Sequence, residues 1–310
     1  MNDEILIVAG PTASGKSALA LALAEELRGT VINADSMQVY RDLPILTAQP
    51  GAAARARAPH RLYGEIDAAD GFSAGAWRER AVAEIAASRD AGRVPILAGG
   101  TGLYLRALLE GLAPTPPVPL AVKRAARALH AELGPAAFFE RLRAVDGEAA
   151  ARLDPGDTLR VLRAYEVASA TGRTLGEWQR AQTRERAFTA RAIVLLPPRE
   201  QLYAACDARF LDMIDRGAAA EAGALAARGL DPGLPAMRAL GVRDLIGWVA
   251  GRTSREAAIA AAQQATRNYA KRQITWFRHQ LPEGQNLRKL VLGEQFSERL
   301  LPDIFSFIRH

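Results

Sequence analysis

Residues 5–19 read ILIVAGPTASGKSAL, a short apolar run followed by a glycine-bounded loop and a helical pattern. Within it, Gly10-Pro11-Thr12-Ala13-Ser14-Gly15-Lys16-Ser17 has the spacing G-x-x-x-x-G-K-[ST]. The spacing fits phosphate chemistry. The glycines let backbone N–H groups close around an anion, and the start of a helix adds partial positive charge. Lys16 supplies a full charge, and the Ser17 hydroxyl suits a phosphate-bound Mg²⁺. The strand before and the helix after are the context that this loop requires.

A loop of this kind that hydrolyses or transfers nucleotide phosphate usually works with an acid at the end of a second apolar strand. Here the matching run, VPILAGGTGLY, ends in Gly99-Gly100-Thr101-Gly102 and carries no acid. The nearest strand-end acid is Asp35, in VINADSMQVY. In an open parallel sheet the C-terminal strand ends face the ligand crevice, so Asp35 and Thr101 are both expected beside the phosphates. Asp35 has three readings at this point: a metal ligand, a base near an attacking group, or a turn cap.

These residues need a sheet to bring them together. Ile5–Ala9, Thr30–Ala34, Val94–Ala98 and Ala192–Leu196 are continuous apolar runs, as in strands covered on both faces. Helical patterns between them start at Lys16, ending at Gly29 as a C′ residue, and at about Ala74, ending near Asp90. The alternation predicts an α/β fold, a P-loop-containing, doubly wound parallel sheet. After APTPPVP (113–119) comes a stretch of helical patterns broken at Gly134-Pro135, Asp154-Pro155-Gly156 and Thr171-Gly172. We therefore expect a core of residues 1–112 and 191–310 with a helical insertion domain at 113–190.

With 49% hydrophobic and 24% charged residues, the chain has the balance of a globular protein rather than a disordered one. Forty Lys and Arg against 34 Asp and Glu leave a net charge of +6, compatible with a polyanionic partner or with plain surface arginines. A single cysteine, Cys206, rules out an intrachain disulfide. No apolar run is long enough for a signal peptide or a membrane span. The expectation is a soluble, cytoplasmic protein without membrane attachment or an obligate protein partner. A long basic helix is expected from about Ser254 to Gln280. Arg267, Lys271 and Arg278 share one face of it, Arg272 lies beside them, and Tyr269, Trp276 and Phe277 interleave. Such a face can track phosphates and stack bases, or its aromatics can pack on the core while its arginines are solvated.

Taken together, GPTASGKS, INADSMQVYRDLPILTAQP, PHRLYGEID, PILAGGTGLYLRALLEGL, RFLDMI, PAMRALGV and ATRNYAKRQITWFR resemble the tRNA dimethylallyltransferases, also called tRNA isopentenyl transferases, in order and over nearly the whole chain. The resemblance implies that Gly10–Ser17 hold the diphosphate of dimethylallyl diphosphate with Mg²⁺. It also implies transfer of the dimethylallyl group to the exocyclic amine of the adenosine just 3′ of the anticodon. Asp35 would be the carboxylate near the amine, with Thr101 and Arg209 at the diphosphate or adenine. Contacts to the tRNA anticodon stem-loop map to Asp35, Ser36, Met37 and Gln38, to Lys123, and to Leu159, Arg160, Val161, Leu162 and Arg163. A further stretch near Leu240–Asp244 brings in Arg238 and Arg243, and the basic helix brings in Lys271 and Arg272.

The chain departs from the family pattern at Thr158-Leu159-Arg160, at Arg61, and at Val242 and Asp244. Three rivals remain. A P-loop kinase would want the missing strand-end acid. A transferase to free AMP or ADP would not need the helical insertion. An RNA-binding protein with a vestigial loop would not need intact Lys16, Ser17, Asp35 and Thr101.

Overall fold

The computed structural model describes residues 4–181, 188–281 and 286–309. The chain forms two compact units, one of Met1–Glu110 with Arg186–His310 and the other of Gly111–Glu185.

The first unit is built on six parallel strands: β1 (Glu4–Ala9), β2 (Gly29–Asn33), β3 (His60–Arg61), β4 (Val94–Gly99), β5 (Thr189–Leu195) and β6 (Leu287–Leu292), in the order β3-β2-β4-β1-β5-β6. Its helices are α1 (Lys16–Glu26), α2 (Ala52–Arg57), α3 (Ala74–Asp90) and α4 (Gly102–Glu110), and, after the second unit, α9 (Arg199–Asp215), α10 (Ala218–Ala227), α11 (Val242–Val249), α12 (Arg255–His279) and α13 (Leu301–Arg309). Successive strand residues point to opposite faces. Ile5, Ile7, Ile32 and Leu97 join one core with Trp77, Ile85, Tyr104 and Phe277 from α3, α4 and α12. Leu6, Val8, Val31 and Ile96 join the other with Leu19 and Leu23 of α1 and Ile304 and Ile308 of α13. Both faces are covered, which is why the inner strands read as unbroken apolar runs. A third cluster packs Tyr40, Leu43 and Leu46 against α9, α10, α11 and α12.

Two strands and one cap differ from the sequence expectation. β3 has two residues and is too short to show a period. β6, LRKLVL, is an edge strand with exposed Arg288 and Lys289, so its charges hide it. Gly29 does not end α1. Leu27 is the C-cap, Arg28 takes the positive φ of 51°, and Gly29 is the first residue of β2. Glycine is needed there for space, because a Cβ would lie 2.6 Å from Ile96 Cδ1 and 3.1 Å from the Val94 carbonyl oxygen. The fourth predicted strand also begins earlier, at Thr189 rather than Ala192.

The second unit is helical: α5 (Leu120–Val145), α6 (Gly147–Arg152), α7 (Thr158–Thr171) and α8 (Leu175–Arg180). α5 is kinked at Gly134, φ 74°, where Pro135 also removes a donor. Phe138, Phe139, Leu142, Val161 and Ala164 form its core. The buried Asp146 caps α6 through the Ala149 N–H at 2.9 Å and accepts from the Leu175 N–H at 3.3 Å, tying α8 to α6. Among the described residues, no helix is long and apolar enough to cross a membrane.

At the end of β4, a Cβ on Gly99 would lie 2.1 Å from the Ala34 backbone, which has nowhere to go. Gly99→Ala is expected to destabilise the protein by about 3 kcal/mol, the upper range of overpacking. Gly71 faces open space, and Gly71→Ala should stay within about 0.5 kcal/mol of the parent. Urea midpoints at constant m-value read both.

Candidate active site

Three loops leave the C-terminal ends of parallel neighbours β1, β4 and β2, and they meet. The loop after β1 turns into α1 at Gly15, which has φ 88° and faces Phe296, 2.9 Å from where a Cβ would sit. A side chain is excluded there on both counts. Gln295 Nε2 donates to the Ala13 carbonyl at 2.9 Å, and the Phe296 N–H donates to the Ser14 carbonyl at 3.3 Å, so the segment after β6 braces this loop.

Thr12 is held from three directions. Its N–H donates to Gln273 Oε1 at 2.8 Å, its hydroxyl accepts from the Arg209 guanidinium, and its carbonyl lies 3.9 Å from Cys206 Sγ. Gln273, buried on α12, also donates from Nε2 to the Gly100 carbonyl at 2.9 Å. Thr101 Oγ1 accepts from the Ser36 N–H at 2.9 Å, and the Thr101 N–H donates to Ala34 at 3.2 Å. Asp35 Oδ1 accepts from the Met37 N–H at 2.9 Å, while Asn33 brackets Asp35 from both backbone sides at 2.7 and 2.9 Å. One carboxylate oxygen therefore does the turn-capping that is one of the three readings of Asp35.

Charge is concentrated here. Lys16 is buried and donates to the Pro11 carbonyl at 3.3 Å. Burial lowers its pKa from 10.5 to about 8; Arg209 pushes the same way, and Asp35 and Cys206 oppose. Burial also lowers Arg209, against the pull of Cys206 and Asp35. The Tyr269 hydroxyl, bonded to Thr101, is pushed up by burial and by Asp35, and burial pushes the Cys206 thiol up. The Ser14 hydroxyl is buried with no hydrogen-bond partner, which is costly for a polar atom unless a ligand completes it.

Thr12, Asp35, Ser36, Met37, Arg209, Arg238 and Arg272 line one cleft of about 250 Å³. Leu46, Phe210, Met213 and Leu240 give it an apolar wall, and Cys206, Thr266 and Tyr269 line it too. Among the described residues there is no group of three or more His, Cys, Asp or Glu that could hold a metal. A Mg²⁺ carried by phosphate oxygens and water needs only one or two protein oxygens, so this donor set fits that mode. Ser17, exposed on the first turn of α1, is the candidate.

Residues 38–280 match the family model described as IPP transferase. A tRNA dimethylallyltransferase from Rhodospirillum centenum is 60% identical over 279 residues, 89% of each chain. Another, from Paramagnetospirillum magneticum, is 51% identical over 98% of this chain and 95% of its own. A eukaryotic dimethylallyltransferase, solved in crystallographic snapshots acting on tRNA, superposes with a TM-score of 0.80 at 26% identity, over 99% of this chain and 80% of that one. The chain belongs to the IPP transferase family.

Among the predicted tRNA contacts of this IPP transferase, some are buried and others have neighbours within the protein. Val161 is 1% exposed in the core of the helical unit, so it cannot touch a ligand, and Leu162 packs against that core. Their neighbours do face solvent: Leu159 is 60% exposed, and Arg160 is exposed while paired with Asp157 at 3.4 Å. Lys123, Arg163 and Arg127 surround the buried Glu166, whose pKa rises through burial and is held back by these three cations. Gln38 spends its amide on the Thr47 and Ala48 carbonyls at 2.8 and 2.9 Å. Arg243 is exposed, donates to Pro232 at 3.4 Å and lies outside the cleft lining.

On α12 the packing reading wins for two aromatics and one cation. Phe277 is buried, Trp276 packs against the same core, and Arg267 is clamped by Asp207 at 2.7 Å. Tyr269 and Arg272 remain at the cleft, with the guanidinium 5.6 Å from the ring centroid, and Lys271 and Arg278 are exposed. Gln273 escaped the sequence reading. Its signal is an amide in the buried stripe Ala262, Thr266, Ala270, Gln273, Phe277, spaced by three or four residues.

The shifted Lys16 gives the site a pH dependence. A bound anion favours the ammonium, so inorganic diphosphate should bind best below pH 8, where Lys16 is already charged. Above pH 8 binding must first protonate the amine, so affinity falls and protons are taken up. Calorimetry in buffers of different ionisation enthalpy measures that uptake. In Lys16→Met the step near pH 8 should vanish.

Proposed function

We propose that this chain transfers the dimethylallyl group of dimethylallyl diphosphate to the N6 amine of the adenosine immediately 3′ of the anticodon in tRNA, releasing diphosphate. The observation that carries this reading is the position of Asp35. It shares one cleft with the buried Arg209 and an apolar wall, its charge acts on the buried Lys16 of the neighbouring phosphate loop, and both flanking loops are fixed by hydrogen bonds.

An adenine amine is a weak nucleophile because its lone pair is delocalised into the ring. An allylic carbon compensates through a resonance-stabilised developing cation. As the N6–C1 bond forms, the C1–O bond breaks and its electron pair leaves with the diphosphate. Lys16 and Arg209 stabilise that developing charge. Asp35 accepts the amine proton. Thr101 holds the turn that carries Asp35, through the Ser36 N–H. Leu46, Phe210 and Met213 exclude water from the prenyl chain. Mg²⁺, when bound, neutralises diphosphate charge, with Ser17 as its protein oxygen. The Ser14 hydroxyl gains the acceptor it lacks. The adenine leaves its unpaired loop to enter the cleft, and Tyr269 is placed to face it.

Lys123, Leu159, Arg160 and Arg163, with Arg238, Lys271 and Arg272, are the groups we assign to the anticodon stem-loop. Its phosphates and the absence of any paired cysteine fit a cytoplasmic setting. A phosphoryl-transferring kinase fits less well, since β4 ends in Gly99-Gly100-Thr101 without an acid.

Labelled dimethylallyl diphosphate with tRNA, AMP or no acceptor tests the assignment. Label should move to tRNA alone, and ATP hydrolysis should be negligible. Asp35→Asn keeps the acceptor for the Met37 N–H, so it preserves the turn. Its turnover should fall by about 10²-fold, with substrate binding retained; turnover like that of the parent would reduce Asp35 to a cap. For tRNA, about five phosphate contacts imply a log–log salt slope on the order of −3.5 to −4.5. Arg160→Ala with Arg163→Ala should flatten that slope by about one to two units and raise KM for tRNA, leaving KM for dimethylallyl diphosphate unchanged.

A further inference from the structure

The loop after β1 holds the leaving group and the loops after β2 and β4 hold the base, so their separation sets the line of attack. Backbone pairing fixes the strands, but it stops at Ala9 and Gly99. Beyond those ends one side chain spans the gap. Gln273 accepts from the Thr12 N–H at 2.8 Å and donates to the Gly100 carbonyl at 2.9 Å. The fit is tight: a Cβ on Gly100 would lie 2.2 Å from Gln273 Nε2. The next turn of the same helix carries Tyr269, bonded to Thr101. The Thr12 N–H is thereby withdrawn from the anion cradle and spent on holding the loop's position. An amide offers an acceptor to one loop and a donor to the other without carrying a charge.

We infer that Gln273 is a positioning residue that sets the distance between the leaving diphosphate and the Asp35–Thr101 base loop. This rests on the transferase reading. Its loss acts on the geometry between two substrates that remain individually bound, so it lowers kcat rather than affinity.

The test is steady-state transfer by wild type, Gln273→Met and Gln273→Glu from about pH 5.5 to 9, with KM for each substrate. Gln273→Met, similar in volume and without either hydrogen bond, should lose about 10²-fold in kcat with both KM values maintained. Gln273→Glu separates positioning from packing. As a carboxylate it still accepts from Thr12 but has no proton for Gly100; once protonated it makes both bonds. The ratio of its kcat to that of wild type should therefore rise as pH falls. Lys16, Arg209 and Cys206 beside the phosphate loop, Asp35 and Tyr269 beside the base loop, and Arg272 on the same helix are present in both proteins, so what they contribute divides out of the ratio. A flat ratio across the range, or wild-type kcat in Gln273→Glu at pH 9, overturns the inference. So does a Gln273→Met protein that loses affinity but not kcat. If Gln273→Met does not fold, the Gln273→Glu ratio decides. Absence of transfer by wild type would count against the transferase reading instead.

Discussion

Two cations, Lys16 and Arg209, are desolvated around a site where Asp35 is the carboxylate that acts on both. Burying charge without full compensation is costly, and Lys16 registers the cost as a pKa lowered to about 8. Burial also leaves the Ser14 hydroxyl without a partner. These features are strained in the same sense: each is relieved by an anion. The folded state holds them because the surrounding structure is over-determined, with both sheet faces buried and the loop braced from α9, α12 and the segment after β6. The same preorganisation is what a leaving diphosphate needs, since its charge grows only as the bond to carbon breaks.

The sheet topology explains how chemistry from distant parts of the sequence meets. With all strands parallel, every C-terminal end lies on one edge, and the order β2-β4-β1 puts the Asp35 loop and the phosphate loop either side of the Gly-Gly-Thr loop. That middle loop carries no acid and two tightly enclosed glycines. Gly99 abuts the Ala34 backbone and Gly100 abuts Gln273. Its part is therefore close approach: it lets β2 and α12 come near enough for Thr101 and Gln273 to join three loops by hydrogen bonds.

Much of this was legible in the sequence because it is local. The phosphate loop, the apolar runs of the four inner strands and the limits of α3 and α12 follow from composition and spacing over a few residues. What was hidden depends on tertiary neighbours. Gly29 reads as a helix stop, but it serves packing against Ile96 and Val94. β6 carries the charges of an edge strand. Val161 sits among predicted contacts, yet its helical phase turns it into the core. Arg267 looks free until Asp207 is brought to it from sixty residues away. Gln273 was the largest omission, because an amide has no motif of its own and its role exists only once Thr12 and Gly100 flank it.

The two kinds of charge in the molecule obey different physics, and that difference divides the work. Arg160 is solvent-exposed in the helical unit, so its attraction to phosphates is screened within about a Debye length and trades against salt. Lys16 and Arg209 are desolvated, so bulk salt screens their local field far less. Raising ionic strength therefore weakens the attraction of Arg160 for a polyanion while leaving the field around Lys16 and Arg209 nearly intact. An enzyme arranged in this way can release a long, highly charged product without giving up the electrostatics of its chemical step. In this chain the exposed Arg160 and the buried Lys16 and Arg209 lie on separate structural elements.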